Sequence, residues 1–236
     1  MRIFLQGASG RMGQAVKVAA AKEGYEILDS TIPDTIGKAD VVIDFSSHEV
    51  TAPLVATAAE HGKPVVIGTT GHNEAEREAI LSYTSRIPIV WAGNFSLGVN
   101  LLFYLAEKVA ATLPLSYHPE IVEMHHRHKK DAPSGTAENL VEAVLRGRQW
   151  SADKVKHGRS GITGERPDEE IGVHALRGGE VVGEHSLIFA GPGERLQLQH
   201  QATDRRIFAE GSLVAARWII AKQPGLYNMQ DVLELK

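Results

Sequence analysis

Short apolar runs alternate with helix-like stretches through the first third of the chain, the pattern of βαβ units around a parallel sheet. Arg2-Ile3-Phe4-Leu5 runs straight into a glycine turn, and Arg11 to Ala21 then places Met12, Ala15, Val16 and Ala19 on one helical face. Tyr25 to Leu28 reads as a weaker strand, whereas Val41-Val42-Ile43-Asp44-Phe45, Val65-Val66-Ile67 and Pro88-Ile89-Val90-Trp91 read as stronger ones. Two helical patterns lie between these. Val50 to His61 is rich in alanine and stops at Gly62, while Glu74 to Ser85 carries acids early and Arg86 just past its end, as the helix dipole favours.

The pattern changes after Asn94. Leu97 to Leu113 predicts a long amphipathic helix stopped by Pro114, carrying the chain toward a second domain. Ile121-Val122-Glu123-Met124 predicts a strand running into a histidine-rich segment. A helix follows Pro133-Ser134-Gly135-Thr136 and extends to Arg146, capped by Gly147. Arg148 to Glu170 mixes glycines, charges and a proline without a sustained period and reads as one long loop. Strands return at Val173 to Leu176, Ser186 to Ala190 and Arg195 to Ala202, with glycine turns between them, and predict an antiparallel meander. Ile207 to Lys222 then predicts a helix with Phe208, Val214, Trp218 and Ile219 on one face, packing back on the first domain.

A chain of 236 residues suits one or two domains with a core that needs no staple. It has no cysteine, which excludes disulfides, a thiolate nucleophile and Cys-ligated metal, so chemistry falls to His, Lys, acids, hydroxyls or a bound cofactor. Lys+Arg 25 against Asp+Glu 29 gives a net charge of −4, which argues against a general nucleic-acid binder. The first apolar run breaks at Gln6-Gly7 and no later one approaches the ~20 residues of a membrane span. The expectation is a cytoplasmic protein with neither nucleic-acid nor membrane partners.

Gly7-Ala8-Ser9-Gly10-Arg11-Met12-Gly13 follows the first strand and opens the first helix, where a glycine-rich turn cradles pyrophosphate against backbone N–H groups and the helix dipole. The spacing is G-x-x-G-x-x-G and not the commoner G-x-G-x-x-G, and a tight turn with no ligand fits the same residues. An acid for the adenosine ribose is expected after the second strand. Asp29 and Asp34 are both candidates, so the spacing does not separate NAD from NADP.

His125-His126-Arg127-His128-Lys129-Lys130 is a positive island in an acidic chain, as anion sites are. Strand parity would put His125, Arg127 and Lys129 on one face and His126 and His128 on the other. A solvated basic stretch is the bland alternative. Zinc fits less well because adjacent ligands suit a strand poorly, and nucleic-acid backbone less well again because no aromatics interleave. Ser134-Gly135-Thr136 then opens a helix, either as an ordinary N-cap or as a site where free N–H groups meet a carboxylate. Beside His and Lys donors, such a terminus suits a small dicarboxylate undergoing protonation.

Taken whole, Glu123-Met124-His125-His126-Arg127-His128-Lys129-Lys130-Asp131-Ala132-Pro133-Ser134-Gly135-Thr136-Ala137 resembles the signature of the 4-hydroxy-tetrahydrodipicolinate reductase family, also called dihydrodipicolinate reductase, of the diaminopimelate route to lysine. The resemblance extends through Gly7 to Gly13, Val41 to Ser46, Gly68-Thr69-Thr70-Gly71, Asn94 to Asn100, and Gly178-Gly179 with Gly183-Glu184-His185. It implies an α/β fold: a Rossmann-like N-terminal parallel sheet, residues 1–96 plus 207–236, and an inserted α+β domain, residues 97–206, that binds substrate and builds a homotetramer through its open sheet. It implies His125 as proton donor, Lys129 as second donor or carboxylate anchor, and His126, Gly135 and Thr136 as substrate contacts. NADH or NADPH would lie on Gly7, Ala8, Ser9, Gly10, Arg11 and Met12. Gly68, Thr69, Thr70, Ala92, Gly93, Asn94 and Phe95 would line the nicotinamide side, with Asp34 as the candidate ribose acid and no metal.

The implied substrate is a cyclic imine dicarboxylate, reduced at C4 while His125 supplies a proton. The chain departs from the family after its second strand. Counting from Gly24 puts Ile32 where family members carry an acid, and Thr31 to Lys38 looks shortened. Another nicotinamide-dependent dehydrogenase of small amino dicarboxylates, or a non-catalytic NAD(P)-sensing protein, are the alternative readings.

Overall fold

The structure is a computed structural model that describes residues 1–28, 30 and 35–235. Two compact units are present, Met1–Leu97 with Arg205–Lys236, and Gly98–Asp204. In the first, β1 (Arg2–Gln6) has Ile3, Phe4 and Leu5 all buried, so it is covered on both faces, as strands of a parallel sheet are. α1 (Arg11–Lys22) buries Gly13, Val16, Ala19 and Ala20, with Met12 and Ala15 packed partly against the same core. β2 (Glu26–Leu28) is short and lies at an edge, β3 (Val41–Asp44) is wholly buried, and α2 (His48–Glu60) ends just before Gly62, whose φ of 61° supplies the left-handed stop. β4 (Val65–Ile67), α3 (Glu74–Leu81) and β5 (Pro88–Trp91) follow. α3 is shorter than the predicted Glu74 to Ser85. The hydroxyls of Ser82 and Thr84 donate to Ala79 O and Leu81 O, both at 2.7 Å, and compete with the helical ladder there.

In the second unit, α4 (Leu97–Thr112) leads in and buries Val99, Leu102, Phe103, Ala106 and Ala110. Along β6 (His118–His125) Pro119, Ile121, Glu123 and His125 are buried while the residues between them are half-exposed. α5 (Gly135–Arg148) runs past the expected stop at Gly147 and ends on Gln149, at φ 57°. Gly147 is instead a contact glycine, because a Cβ there would stand 2.4 Å from Glu107 O of α4. The stretch expected as one loop holds a short 3-10 turn, Ala152–Lys154, and β7 (Val155–His157), which pairs parallel with β8 (Ile171–Arg177). Arg159 and Arg166 fasten the remainder through Glu120, at 2.8 and 3.0 Å.

β9 (Gly183–Ala190) and β10 (Arg195–Ala202) complete a five-stranded sheet of order β10-β9-β6-β8-β7. The expected meander is therefore corrected. β8 pairs parallel with β6, β9 pairs antiparallel with both β6 and β10, and β6 separates β8 from β9. Alternation tells which face of a strand is wet but not which strand lies beside it.

The chain then returns to the first unit. α6 (Arg206–Ile219) packs against α1 and β3 to β5 through Ala209, Ser212, Leu213, Ala216 and Ile219. Phe208, Val214 and Trp218 are only half-buried, so the expected face is shifted toward small residues. The reason is close approach: a Cβ on Gly211 would meet Phe95 O at 1.8 Å. β11 (Gly225–Tyr227), which periodicity did not reveal, adds a parallel edge to β5, and α7 (Met229–Val232) buries Met229 and Val232. The six-stranded order is β11-β5-β4-β3-β1-β2. Among the described residues, no helix is long and apolar enough to cross a membrane.

Candidate active site

In the first unit β1 lies between β2 and β3, where the chain's winding reverses, and ligands of such sheets bind outside the strand C-termini at that point. Gly7 has φ 82°, and a Cβ on it would stand 2.1 Å from Phe45 O; one on Gly13 would stand 2.2 Å from Gly7 O. Both positions admit only glycine. Gly10 N donates to Gly7 O at 3.0 Å, and Gln14 Nε2 donates to Ala8 O at 2.8 Å, pinning the turn. Gly10 caps α1 with no side-chain bond, and the first turn, opened by Arg11 and Met12, has no acid, which leaves its N–H groups and dipole to an anion. Gly7, Ala8 and Ser9 line a cavity of about 590 Å³ together with Lys17, Leu28 and Ser30. The glycines that a Cβ would fill, the bare helix start and this cavity fit a dinucleotide.

The turns after β3, β4 and β5 meet as one wall. A Cβ on Gly68 would lie 2.1 Å from the Phe45 ring, which meets Phe95 edge-on at 5.8 Å. Thr69 Oγ1 accepts from Ser46 N at 3.0 Å, and buried Asp44 accepts from Thr51 Oγ1 at 2.7 Å. Gly93 approaches the Thr70 methyl, Ala92 N donates to Ile67 O at 3.1 Å, and Asn94 Oδ1 accepts from Ser96 N at 2.9 Å. Asp34, like Asp29, lies outside the described residues.

In the second unit, β6 delivers two neighbours of like parity, Glu123 and His125, into the buried side of the sheet. Glu123 is 0% exposed. Its Oε2 stands 2.6 Å from His125 Nδ1, Arg177 of β8 donates to both of its oxygens at 2.8 and 2.9 Å, and Ser134 N donates to Oε1 at 3.1 Å. Burial pushes the carboxyl up, but Arg177 and His125 outweigh it and hold Glu123 below the usual carboxylate range. Burial also lowers His125, against the opposing pull of Glu123. The His185 ring meets that of His125 edge-on at 5.1 Å, and its Nε2 lies 3.1 Å from Ser134 Oγ. Burial, and then His125, press His185 down to about 4.

Lys129 Nζ is 2.8 Å from Asp131 Oδ2, and Arg177 Nη2 donates to Asp131 O at 2.7 Å, so contacts run unbroken from His125 through Glu123, Arg177 and Asp131 to Lys129. His126 N donates to Val181 O at 2.8 Å, and its buried Nδ1 has no hydrogen-bond partner among the described residues. Gly135 and Thr136 open α5 behind Ser134, whose Oγ accepts from Ala137 N at 3.3 Å. The expected parity fails beyond His125. The strand ends there, and a turn leaves Arg127 exposed, bonded to His128 at 3.1 Å, while Lys129 is half-buried. Sequence reasoning passed over Glu123 and Arg177. Their only signals were a carboxylate at a buried strand parity and a cation before a glycine turn.

A glycine-turn parallel sheet of this order, with a second unit carrying a buried acid–histidine cluster, fits a nicotinamide-dependent oxidoreductase of Rossmann type. The sequence profile for dihydrodipicolinate reductase, N-terminus, matches residues 22–95, and that for its C-terminus matches residues 98–233. The chain belongs to the dihydrodipicolinate reductase family. It is 50% identical over 242 residues to the 4-hydroxy-tetrahydrodipicolinate reductase of Akkermansia muciniphila, covering 99% of this chain and 98% of that one. With the enzyme of that name from Thiobacillus denitrificans it shares 44% over 266 residues, covering 100% and 99%. Its fold is similar to dipicolinate-bound dihydrodipicolinate reductase from Paenisporosarcina sp. TG-14, with a TM-score of 0.80 at 23% identity over 98% of both chains.

Proposed function

We propose that this chain reduces 4-hydroxy-tetrahydrodipicolinate to tetrahydrodipicolinate with NADH or NADPH, in the synthesis of diaminopimelate and lysine. The observation that carries the reading is the buried His125, joined to Lys129 through Glu123, Arg177 and Asp131 beside the first turn of α5. Residues 1–96 with 207–236 form the dinucleotide domain in this reading, and residues 97–206 the substrate and oligomerisation domain.

Gly7 to Met12 would hold the pyrophosphate, while Gly68 to Thr70 and Ala92 to Phe95 would position the ring; Asp34, the candidate ribose acid, lies outside the described residues. When bound there, the nicotinamide would supply a hydride. Lys129, His126, Gly135 and Thr136 take the two carboxylates, so a neutral analogue binds poorly. His125 delivers the proton that completes the product after water has left C4. The outward face of the second sheet carries Glu184, Ser186 and Ile188 of β9 beside Gln201, Gln199 and Gln197 of β10, a surface for a homotetramer, which light scattering measures. We place the enzyme in the cytoplasm.

The test is a coupled assay that generates the cyclic imine, run with NADH and NADPH in parallel against aspartate and oxaloacetate. Absorbance loss with the imine alone is expected. Loss with aspartate or oxaloacetate instead, or cofactor binding without oxidation by any of them, overturns the reading. Replacing His125 and Lys129 together is expected to abolish turnover while NADPH binding, followed by fluorescence, is unchanged.

A further inference from the structure

We infer that Glu123 is a positioning residue that fixes the tautomer of His125, so that Nδ1 keeps its proton and Nε2 is the atom from which a proton leaves. That this proton reaches substrate rests on the function proposed above; the tautomer itself does not. An ionised carboxylate only accepts hydrogen bonds, so a nitrogen 2.6 Å from Glu123 Oε2 must donate. Glu123 is kept ionised by its other donors, the fork of Arg177 and the Ser134 amide. A protonated Glu123 would set an O–H against one of these. The neutral ring of His125 is therefore the Nδ1–H form, with a lone pair on Nε2.

The surroundings of Nε2 agree. Gly183, at the start of β9, lies against His125, where a Cβ would stand 3.0 Å from Nε2. Glycine leaves that atom room. His185, also on β9, turns its own Nε2 to Ser134 Oγ and does not compete for Glu123. From β8 Arg177 faces the carboxylate, and Lys129 adds positive charge on the far side through Asp131. When the imidazolium gives up its proton, the Nε2–H bond breaks and its electron pair stays on Nε2. The ring becomes the neutral Nδ1–H form on Glu123, no proton moves to the carboxylate, and water later restores the Nε2 proton.

The test is nitrogen NMR of imidazole-labelled, substrate-free protein. Above the titration of His125, wild-type protein is expected to show a protonated Nδ1 and a bare Nε2. In Glu123→Gln a single amide oxygen cannot serve His125, Arg177 and Ser134 together. The Nε2–H tautomer is expected to grow in, the imidazolium to titrate at lower pH, and kcat to fall roughly 10- to 100-fold with KM changed by less than about threefold. A wild-type Nε2–H tautomer overturns the inference, and this needs no variant to fold. An unchanged tautomer and unchanged pH profile in Glu123→Gln overturn it too. If the tautomer is as stated but the cyclic imine is not reduced, the proposed function fails and the tautomer assignment stands.

Discussion

His185 shows what burial does to one side chain. It is 4% exposed, and its value of about 4 lies below the ordinary 6.5 because burial, then His125, disfavour the charged ring. Folding thus selects the neutral form. As pH falls through 6.5 the unfolded chain takes up a proton that the folded one refuses until about 4. The stabilisation is present above 6.5 and lost on the way down, about 3 kcal/mol in all for that interval. Hydrogen exchange of β9 amides, corrected for intrinsic rates, is expected to accelerate between these limits in wild-type protein and to do so much less in His185→Gln. Equal acceleration in both would refute the assignment. At this scale the sequence was half legible. His125 and Lys129 announced themselves by local charge, whereas Glu123, Arg177 and His185 meet only because β6, β8 and β9 lie side by side.

Between elements, glycines mark where backbones touch. Gly147 lies inside α5, where alanine would gain about 1 kcal/mol of helix propensity. Yet its Cβ would stand 2.4 Å from Glu107 O and 2.8 Å from Ala110 Cβ, and main chain cannot step aside as a flexible side chain can. Parting α4 from α5 costs roughly 1–3 kcal/mol, so the clash wins. Gly147→Ala is expected to lower the urea midpoint; a raised midpoint would show that the helices part freely. Gly13→Ala, whose Cβ would stand 2.2 Å from Gly7 O, is expected to leave the second unit folded and to abolish binding in fluorescence titrations with NADH and with NADPH. Retained binding would mean that the turn re-forms. The parallel strands and their helices were legible because each carries its own period. The parallel pairing of β8 with β6, and short β7 and β11, were not, because partner choice leaves no mark on a single strand.

At the scale of the whole molecule, the first unit is discontinuous: α6 and β11 complete a sheet begun at β1. α6 covers the face on which Val66 and Val90 lie, and β11 extends the β5 edge. The second unit is one stretch with its own apolar core around Phe103, Ile121, Leu140 and Phe189. Ending the chain at Asp204 is expected to leave β6 and β9 amides protected while those of β4 and β5 exchange freely. Protection surviving in β4 and β5 would show that the sheet needs no cover. The same connectivity orders events on the ribosome. The stretch of message between the two segments of the first unit encodes a body with a core of its own, while the sheet begun before it waits with one flank bare until α6 is made. A pause in synthesis between the two would leave that flank to chaperones.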